Sequence, residues 1–394
     1  MKKFYAIFLL ICVSTAQLSN DCHDPNWHSL ETLESAKLEC GQFFENRCYC
    51  MMTCYENHHQ YVVNCTDAGF LNTVPLLHLP NKTQVLIFTG NFLEQLPWNV
   101  FGILDDSLPD LRVIDMSRNK IKEIRGKAYH HVHRVERLIL DFNELSLDPG
   151  RSHPRVFSNF VSLLELHLTD AFEDGPPRDL AATLHDIFVN SNLTQLMKLH
   201  LEQNEISEFR DPNVFCDLPN ILDLYLGDNI LTGMHFNISC LLKLRFLDLQ
   251  RNNFTKVLER DLHTMDAIVK RNQSLAVDFS GNPFQCSCKL NPFVKWMNKT
   301  SVFIRNKNSL KCNEGKTAHE IHETKDCMAK LYSSAPRGAT VLLFFLSLVL
   351  IGLVCALIYV QRIKLQKKIE PILDSVNKRV RYTSIATGDS RENV

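Results

Sequence analysis

Apolar residues recur along residues 83–284 in a regular pattern, LxxLxLxxNxL, in which one asparagine interrupts the leucine-like positions. The clearest copy contains Leu111, Ile114, Met116, Asn119 and Ile121. Such alternation over a few residues is typical of a short strand with one buried face. One unit cannot bury its own apolar face, so neighbouring units must stack, and the pattern predicts an α/β leucine-rich-repeat solenoid of about eight repeats. Other copies begin at Val135, Leu163, Leu196, Ile221 and Leu244, and shorter copies at Leu86 and Val277.

The asparagine of each copy is expected to donate hydrogen bonds to backbone carbonyls of the adjacent turn, which would otherwise be buried without a partner. One copy, beginning at Leu163, has Ala171 in this position. It is followed by Glu173-Asp174-Gly175-Pro176-Pro177, a segment that cannot continue a regular coil. We therefore predict an irregular insertion near 171–192.

Two longer apolar runs lie outside the repeats. The first follows Lys2 and Lys3 and ends in small residues, so it predicts a secretory signal peptide over residues 1–16. The second, residues 338–360, has no charge, and as a helix of about 34 Å it is long enough to cross a bilayer. A basic segment from Arg362 to Lys368 follows it, which predicts a single-pass type I protein with an extracellular ectodomain and a cytoplasmic tail, 361–394. The alternative, a buried core helix, does not explain the length or the basic flank.

Cysteines cluster at the two ends of the repeat array, where a solenoid needs caps over its apolar core. In an oxidising compartment they predict disulfide caps, one over residues 17–82 and one over 285–330. Zinc binding is disfavoured because Cys286-x-Cys288 lacks a second close pair. Cys216 and Cys240 lie in adjacent repeats and are either bridged or packed as thiols. The predicted cap cysteines are Cys40, Cys48, Cys50, Cys65, Cys286, Cys288, Cys312 and Cys327, and Cys22 and Cys54 have no assigned partner.

Enzymatic chemistry has no support in the sequence. His319-Glu320-Ile321-His322 is one residue short of the zinc-protease motif, and no nucleophile elbow, phosphate loop or kinase signature occurs. The formal net charge is −1, so no overall field attracts nucleic acid. We therefore expect no catalytic residue, no metal site and no cofactor.

Residues between the leucines of each strand are predicted to point outward on the concave face, the usual binding surface of a solenoid. Exposed aromatic side chains among charges there are typical of a protein-interaction surface. The alternative is that glycans or a cap cover them. The outward positions show no periodic stripe of one charge, so the sequence does not indicate a polyanionic ligand. The predicted partner-binding residues are Arg137, Ile139, Phe142, His167, Lys198, His200, Tyr225, Phe246 and Asp248.

Short motifs predict modification and a cytoplasmic partner. The motif Asn-x-Ser/Thr marks an acceptor for N-glycosylation. Asn64 begins one such motif but is left out of the predicted sites, because its middle residue, Cys65, is a predicted cap cysteine. At the C-terminus, Glu392 and Val394 suit insertion as an added strand into a PDZ domain. Tyr382-Thr383-Ser384-Ile385 matches an endocytic pattern. The predicted N-glycosylation sites are Asn81, Asn192, Asn237, Asn253, Asn272 and Asn298.

Two local motifs are distinctive, Leu86-Ile87-Phe88-Thr89-Gly90-Asn91 at the first repeat and Asn282 to Cys288 at the C-terminal cap. They resemble the first repeat and the C-terminal cap of the trophoblast glycoprotein (Wnt-activated inhibitory factor) family of leucine-rich-repeat membrane glycoproteins. The Arg381-Tyr382 pair and the terminal Val394 also match the family pattern. Cys22 and Cys54 depart from the family's four-cysteine N-terminal cap, and Glu392 stands where the family has serine.

The resemblance implies a receptor or co-receptor at the plasma membrane that inhibits Wnt signalling. Its ligand would be an extracellular or membrane protein, with the Wnt co-receptor machinery as the suspected partner. The alternative is a cell adhesion receptor, or a synaptic or matrix-binding leucine-rich-repeat protein. Both functions would use the same concave face.

Overall fold

Each copy of the repeat folds into a short strand whose central residue is buried, as at Leu224 between Asp223 and Tyr225. The computed structural model describes residues 30–104, 107–146, 156–174, 184–185, 187–188, 191–271, 274–315, 317–324, 327 and 337–386. The predicted signal peptide, Cys22, Asn272, Glu392 and Val394 lie outside these residues. The chain divides into two units, Met1–Thr324 and Lys325–Val394.

Eleven strands form the main sheet of the first unit, in the order β1-β2-β3-β5-β7-β8-β9-β10-β11-β12-β14. The pair β1–β2 is an antiparallel hairpin, and every later pair from β2–β3 to β12–β14 is parallel. The strands are β1 (Tyr49–Tyr55), β2 (His58–Asn64), β3 (Val85–Ile87), β5 (Val113–Asp115), β7 (Arg137–Ile139), β8 (Glu165–His167), β9 (Lys198–His200), β10 (Asp223–Tyr225), β11 (Phe246–Asp248), β12 (Ala276–Asp278) and β14 (Phe303–Arg305).

Short elements complete the first unit. Two sheets are small, one of β4 and β6 and one of β13, β15 and β16. The remaining strands are β4 (Gln95–Leu96), β6 (Glu123–Ile124), β13 (Phe284–Gln285), β15 (Lys311–Glu314) and β16 (Thr317–Glu320). The α-helices are α1 (Leu30–Glu39), α2 (Glu259–Lys270) and α3 (Asn291–Met297), and 3-10 turns cover Gln42–Phe44, Val74–His78, Ile238–Cys240 and Lys307–Ser309.

The asparagine ladder makes the hydrogen bonds expected of it. Asn119 is buried, and its Nδ2 donates to the carbonyls of Phe88 and Met116, each at 2.7 Å. Its Oδ1 accepts the backbone N–H of Asn91 at 2.7 Å, which links it to the preceding repeat. At the broken copy, the backbone N–H of Ala171 still donates to Asn204 Oδ1 at 3.0 Å, so the ladder is completed from the following repeat. Of the predicted insertion near 171–192, residues 171–174, 184–185, 187–188 and 191–192 are described.

Disulfides lie at both ends of the array and at one place within it. Within the array, Cys216–Cys240 joins adjacent repeats, so these residues are bridged rather than packed as thiols. Cys54, Cys288 and Cys327 are also disulfide-bonded. The cap bonds are Cys40–Cys50, Cys48–Cys65 and Cys286–Cys312.

Aromatic packing closes the C-terminal end of the solenoid. Phe293 of α3 lies 5.3 Å from the Phe279 ring and 5.2 Å from the Phe284 ring, measured between centroids. Trp296, one turn along the helix, stacks on Phe293 at 6.0 Å. These side chains continue the leucine core into the cap, where no further repeat covers it.

The second unit contains one long helix, α4 (Arg337–Ala386), which includes the predicted span 338–360 and continues into the predicted tail. Its segment Leu342–Asn377 is long and apolar enough to cross a membrane, and none of that segment's apolar window is buried. The exposure of these side chains does not fit the buried core helix that was the alternative.

Candidate partner-binding face

The strand positions that point away from the leucine core carry most of the predicted partner-binding residues. In three adjacent strands, His167 is in register with His200, and His200 with Tyr225. Each of the three is half-buried, because its neighbours in the sheet cover its sides. Parallel in-register pairing therefore brings together side chains that lie 25 to 33 residues apart in the sequence.

The three rings stack and continue to a fourth. His167 and His200 have centroids 4.2 Å apart with nearly parallel planes, and His200 and Tyr225 are 4.0 Å apart and parallel. Tyr225 then meets Phe246 edge to face at 5.4 Å. We call His167, His200, Tyr225 and Phe246 the ring row. The Tyr225–Phe246 pair is an aromatic contact of the kind that contributes about 0.5–1.5 kcal/mol beyond its buried area.

The row extends into the C-terminal cap, which sequence reasoning missed. Strand β14 joins the main sheet, and the Arg305 guanidinium lies 5.5 Å from the Phe246 ring centroid. Phe303, at the other outward position of β14, is 67% exposed. The sequence did contain a signal for β14, because the apolar Ile304 between Phe303 and Arg305 repeats the alternation of the other strands. It was missed because no asparagine follows at the ladder position of the repeat.

Charged residues occupy the N-terminal side of the ring row. Arg137 Nε donates to Glu165 Oε2 at 2.8 Å, and Lys198 Nζ donates to Glu165 Oε1 at 2.7 Å. Arg137 also pairs with Glu56, at the tip of the β1–β2 hairpin. The sequence left open that glycans or a cap cover part of the face. The N-terminal cap does reach this end of it, and Arg137 is paired with Glu56 and Glu165 of the same chain.

The surroundings of Glu165 set its charge. His167, Lys198 and Arg137 together hold the pKa of this carboxyl well below its usual range, against the opposing effect of burial. A carboxyl with a lowered pKa in the folded state stabilises the fold above its unfolded pKa, about 4.3, and that contribution is lost as the pH falls towards the folded value.

We expect Glu165→Gln to lower the free energy of unfolding by about 1–3 kcal/mol at neutral pH, because Arg137 and Lys198 then lose a charged partner that is mostly buried. Thermal unfolding of the full chain in detergent at pH 7 and at about pH 2 measures the effect, and the difference from wild type should shrink at the lower pH, which approaches the lowered pKa of Glu165. Glu136→Gln is the matched control, because Glu136 is half exposed and pairs with Arg112 at 3.4 Å. An equal loss at both pH values would contradict this assignment.

Not every predicted residue lies on the open face. Asp248 is only 4% exposed, and its carboxylate accepts the backbone N–H of Gln250 at 3.0 Å and Gln250 Nε2 at 2.8 Å. Phe142 is 42% exposed but lies in the loop after β7, where the Arg118 guanidinium is 5.2 Å from its ring. Ile139 is half-buried beside His167 in the sheet.

The predicted glycosylation sites lie outside the strands of the face. The exposed asparagines Asn81, Asn192, Asn253 and Asn298 are in loops or at the end of α3, and Asn237 is half-buried beside Asn213. Asn64 is the exception, since it ends β2 and its Oδ1 accepts from Thr66. Glycans at the other described sites would therefore start away from the ring row.

The described part of the chain contains no arrangement of side chains suited to binding a metal ion. No group of three or more His, Cys, Asp or Glu side chains is placed to hold an ion there. The face can instead bind through ring edges, imidazole nitrogens, a phenol and carboxylates, which are the groups of a protein-recognition surface.

Comparison with known proteins identifies similar leucine-rich-repeat proteins, while no family model matches. Trophoblast glycoprotein of Macaca fascicularis is 25% identical over 271 residues, covering 67% of this chain and 62% of that protein's length. Podocan of Mus musculus is 26% identical over 184 residues, 45% of this chain and 23% of podocan.

Among solved structures, human trophoblast glycoprotein, also called Wnt-activated inhibitory factor 1, superposes with a TM-score of 0.57 at 24% identity. The match covers 65% of this chain and 89% of that one. The predicted resemblance is therefore confirmed: the chain resembles trophoblast glycoprotein in sequence and shares its leucine-rich-repeat fold.

Proposed function

We propose that the chain is a single-pass type I cell-surface glycoprotein without enzymatic activity, which binds an extracellular or membrane protein through its concave face. The ring row is the observation that carries this proposal, since three stacked rings and a fourth packed edge to face lie across adjacent strands beyond the reach of the described N-terminal cap. Aromatic anchors among charges are typical of binding hot spots. The relatives, which are cell-surface and matrix proteins, support a binding role.

Inhibition of Wnt signalling, through the Wnt co-receptor machinery, is the form of this function that we propose first. Its support is the resemblance to a protein whose solved structure bears the name Wnt-activated inhibitory factor 1. Adhesion to another cell or to matrix is the second form. Similarity to podocan and to epiphycan of Mus musculus, at 27% identity over 197 residues, favours it.

We expect the full chain to lower a Wnt reporter signal in responsive cells, and Tyr225→Ala with Phe246→Ala to lose that effect. Truncating two hot-spot aromatics costs about 2 kcal/mol each in binding, which is far more than a tenfold loss of affinity. Leu242→Ala is the matched control, because Leu242 is a 55% exposed apolar residue outside the strands. Surface display of all three chains is checked by antibody.

A normal surface level with no reporter change in wild type would reject the Wnt form. A cell-aggregation assay then tests adhesion, because cells that express an adhesion receptor should cluster with one another or with cells of a partner line. If the double variant inhibits the reporter as well as wild type does, the ring row is not the site.

The tail adds a separate proposal. Glu392 and Val394 would place the carboxyl end in a PDZ domain, with Val394 filling its apolar pocket. One epitope tag inserted directly after residue 16, behind the predicted signal peptide, and another at the C-terminal end, probed with and without permeabilisation, test the orientation on which this depends.

A further inference from the structure

We propose that residues 362–377, which we call the juxtamembrane helix, bind the anionic surface of the bilayer that their own chain crosses. They belong to α4 and follow the predicted span 338–360 almost at once. This assignment rests on the membrane span of the proposed function, but it needs no extracellular partner. The spacing, exposure and charge of the side chains support it in turn.

Large apolar side chains lie on one side of the juxtamembrane helix. Their positions, separated by four, three, one and three residues, follow the period of an amphipathic helix. At 3.6 residues per turn they fall within an arc of about 100°. We call this arc the apolar stripe, and it consists of Leu365, Ile369, Ile372, Leu373 and Val376.

The apolar stripe is open to solvent in the described part of the chain. Its side chains range from 42% exposed at Ile369 to 62% exposed at Ile372. Contiguous exposed apolar side chains mark a contact with a protein or a membrane. The nearest apolar phase is the bilayer itself, because Leu365 follows Val360 by only about 7.5 Å of helix. The covalent link keeps the local concentration of lipid high, so a weak affinity is enough for binding.

The charge of the juxtamembrane helix is of the sign that an anionic lipid surface attracts. The segment contains four basic residues and two acidic ones. Lys364 and Lys368 lie one turn apart beside one edge of the apolar stripe, while Glu370 and Asp374 lie on the opposite side of the helix. With the stripe against the lipid, these lysines reach the phosphates and both carboxylates face water.

Pro371 lies inside α4 and gives the segment a place to bend. A proline has no backbone N–H, so the helical hydrogen bond to the carbonyl of Lys367 is missing and the helix bends there. On a bilayer the chain must also turn directly after Val360, where α4 divides into the span and the juxtamembrane helix. Burial of the apolar stripe offsets the helical hydrogen bonds lost at this turn.

A second copy of the chain is the alternative cover for the apolar stripe. Leu365, Ile369, Ile372 and Val376 are spaced four, three and four apart, as at the core of a coiled coil. Paired helices are usually matched by opposite charges beside that core, yet only one of the four flanking residues is charged. These residues are Gln366, Lys368, Leu373 and Ser375. The charge pattern therefore favours an anionic lipid surface over a second helix.

The test measures how fast a single cysteine on the helix reacts with a water-soluble, uncharged maleimide. The purified full chain carries Cys355→Ser, which removes a free thiol, and Val376→Cys, which places one on the apolar stripe. It is reconstituted at one chain per nanodisc, in phosphatidylcholine alone or with about a third phosphatidylserine. We expect the thiol at position 376 to react about tenfold more slowly with phosphatidylserine present, which corresponds to about 1.4 kcal/mol in favour of the bound state.

Ser375→Cys, in the same Cys355→Ser chain, is the matched control for position. The adjacent residue lies about 100° further round the helix and off the apolar stripe, at nearly the same distance from the span. Its rate should be nearly equal in the two kinds of nanodisc. The Cys355→Ser chain without an added cysteine gives the background.

Lys364→Gln with Lys368→Gln should remove the protection at position 376, because it takes away the charges at the edge of the stripe. Lys256→Gln with Lys270→Gln is the matched control for charge, since it removes two lysines from exposed positions of the first unit and should leave the rates unchanged. Raising the salt from about 0.05 M to about 0.3 M should weaken the protection without any substitution in the helix.

Equal rates at position 376 in the two lipid mixtures, or protection that persists at high salt and without both lysines, would overturn this assignment. So would protection that appears only with two chains per nanodisc, since a second copy would then be the cover. Cys355 in the unsubstituted chain separates the result from that of the proposed function. As part of the span it should resist the reagent in both mixtures, and its fast reaction would reject the span itself. A protected Cys355 with a reactive thiol at position 376 rejects only lipid binding by the juxtamembrane helix.

Discussion

Asn119→Ala should lower the free energy of unfolding of the leucine-rich-repeat array by about 3–5 kcal/mol, since it leaves several buried backbone groups without a partner at about 1–3 kcal/mol each. The side chain satisfies the carbonyls of Phe88 and Met116 and the N–H of Asn91, and water cannot replace it because Asn119 is fully buried. Thermal unfolding of the full chain in detergent, with surface display in cells, measures the loss.

Asn313→Ala is the control for this substitution, because Asn313 is an exposed asparagine in β15. It should change the unfolding temperature little. If Asn119→Ala were equally mild, the ladder would be supported by backbone hydrogen bonds and leucine packing alone.

Phe293→Ala should cost a similar amount, about 3–5 kcal/mol, as is usual when a buried phenylalanine is truncated. Phe293 is fully buried and contacts Phe279, Phe284 and Trp296, so the cavity would open at the junction of the last repeat and its cap. Loss of the cap exposes the leucine core, and we expect the variant to be retained inside the cell. Thermal unfolding and antibody staining of intact cells report the two effects.

Phe303→Ala provides the contrast within the same cap. Phe303 is largely exposed on β14, so its truncation should leave the free energy of unfolding within about 0.5 kcal/mol of wild type. A similar loss in the free energy of unfolding from Phe293→Ala and Phe303→Ala would contradict this prediction. It would mean that the buried ring cluster contributes no more to the stability of the cap than an exposed ring does.

The solenoid could be predicted from the sequence because its signal is periodic and local. Leu224 and its equivalents point inward in every strand, and the asparagines make the expected hydrogen bonds. A period of about 25 residues also predicts which strands are neighbours. For this reason His167, His200 and Tyr225 could be assigned to one face in advance.

Contacts between those residues could not be predicted, because they depend on register and on the rotation of each ring. The pattern gives Asp248 an outward position, yet the neighbouring strands and Gln250 bury it. A repeat pattern also does not predict contacts between the cap and distant repeats. Glu56, at the tip of the β1–β2 hairpin, pairs with Arg137 although the two residues are 81 positions apart in the sequence. The contribution of Phe303 was missed since β14 joins the sheet from inside the cap.

The Cys216–Cys240 bond gives the array a mechanical property. A leucine-rich repeat under tension unravels from its ends, because each coil is held only by its neighbours. The bond closes a loop with a sequence separation of 24, and this length, about 80 Å when fully extended, cannot be pulled out while the disulfide is intact. If the repeat array were pulled from its two ends, the residues between Cys216 and Cys240, which include Tyr225, would therefore add no length to the stretched chain.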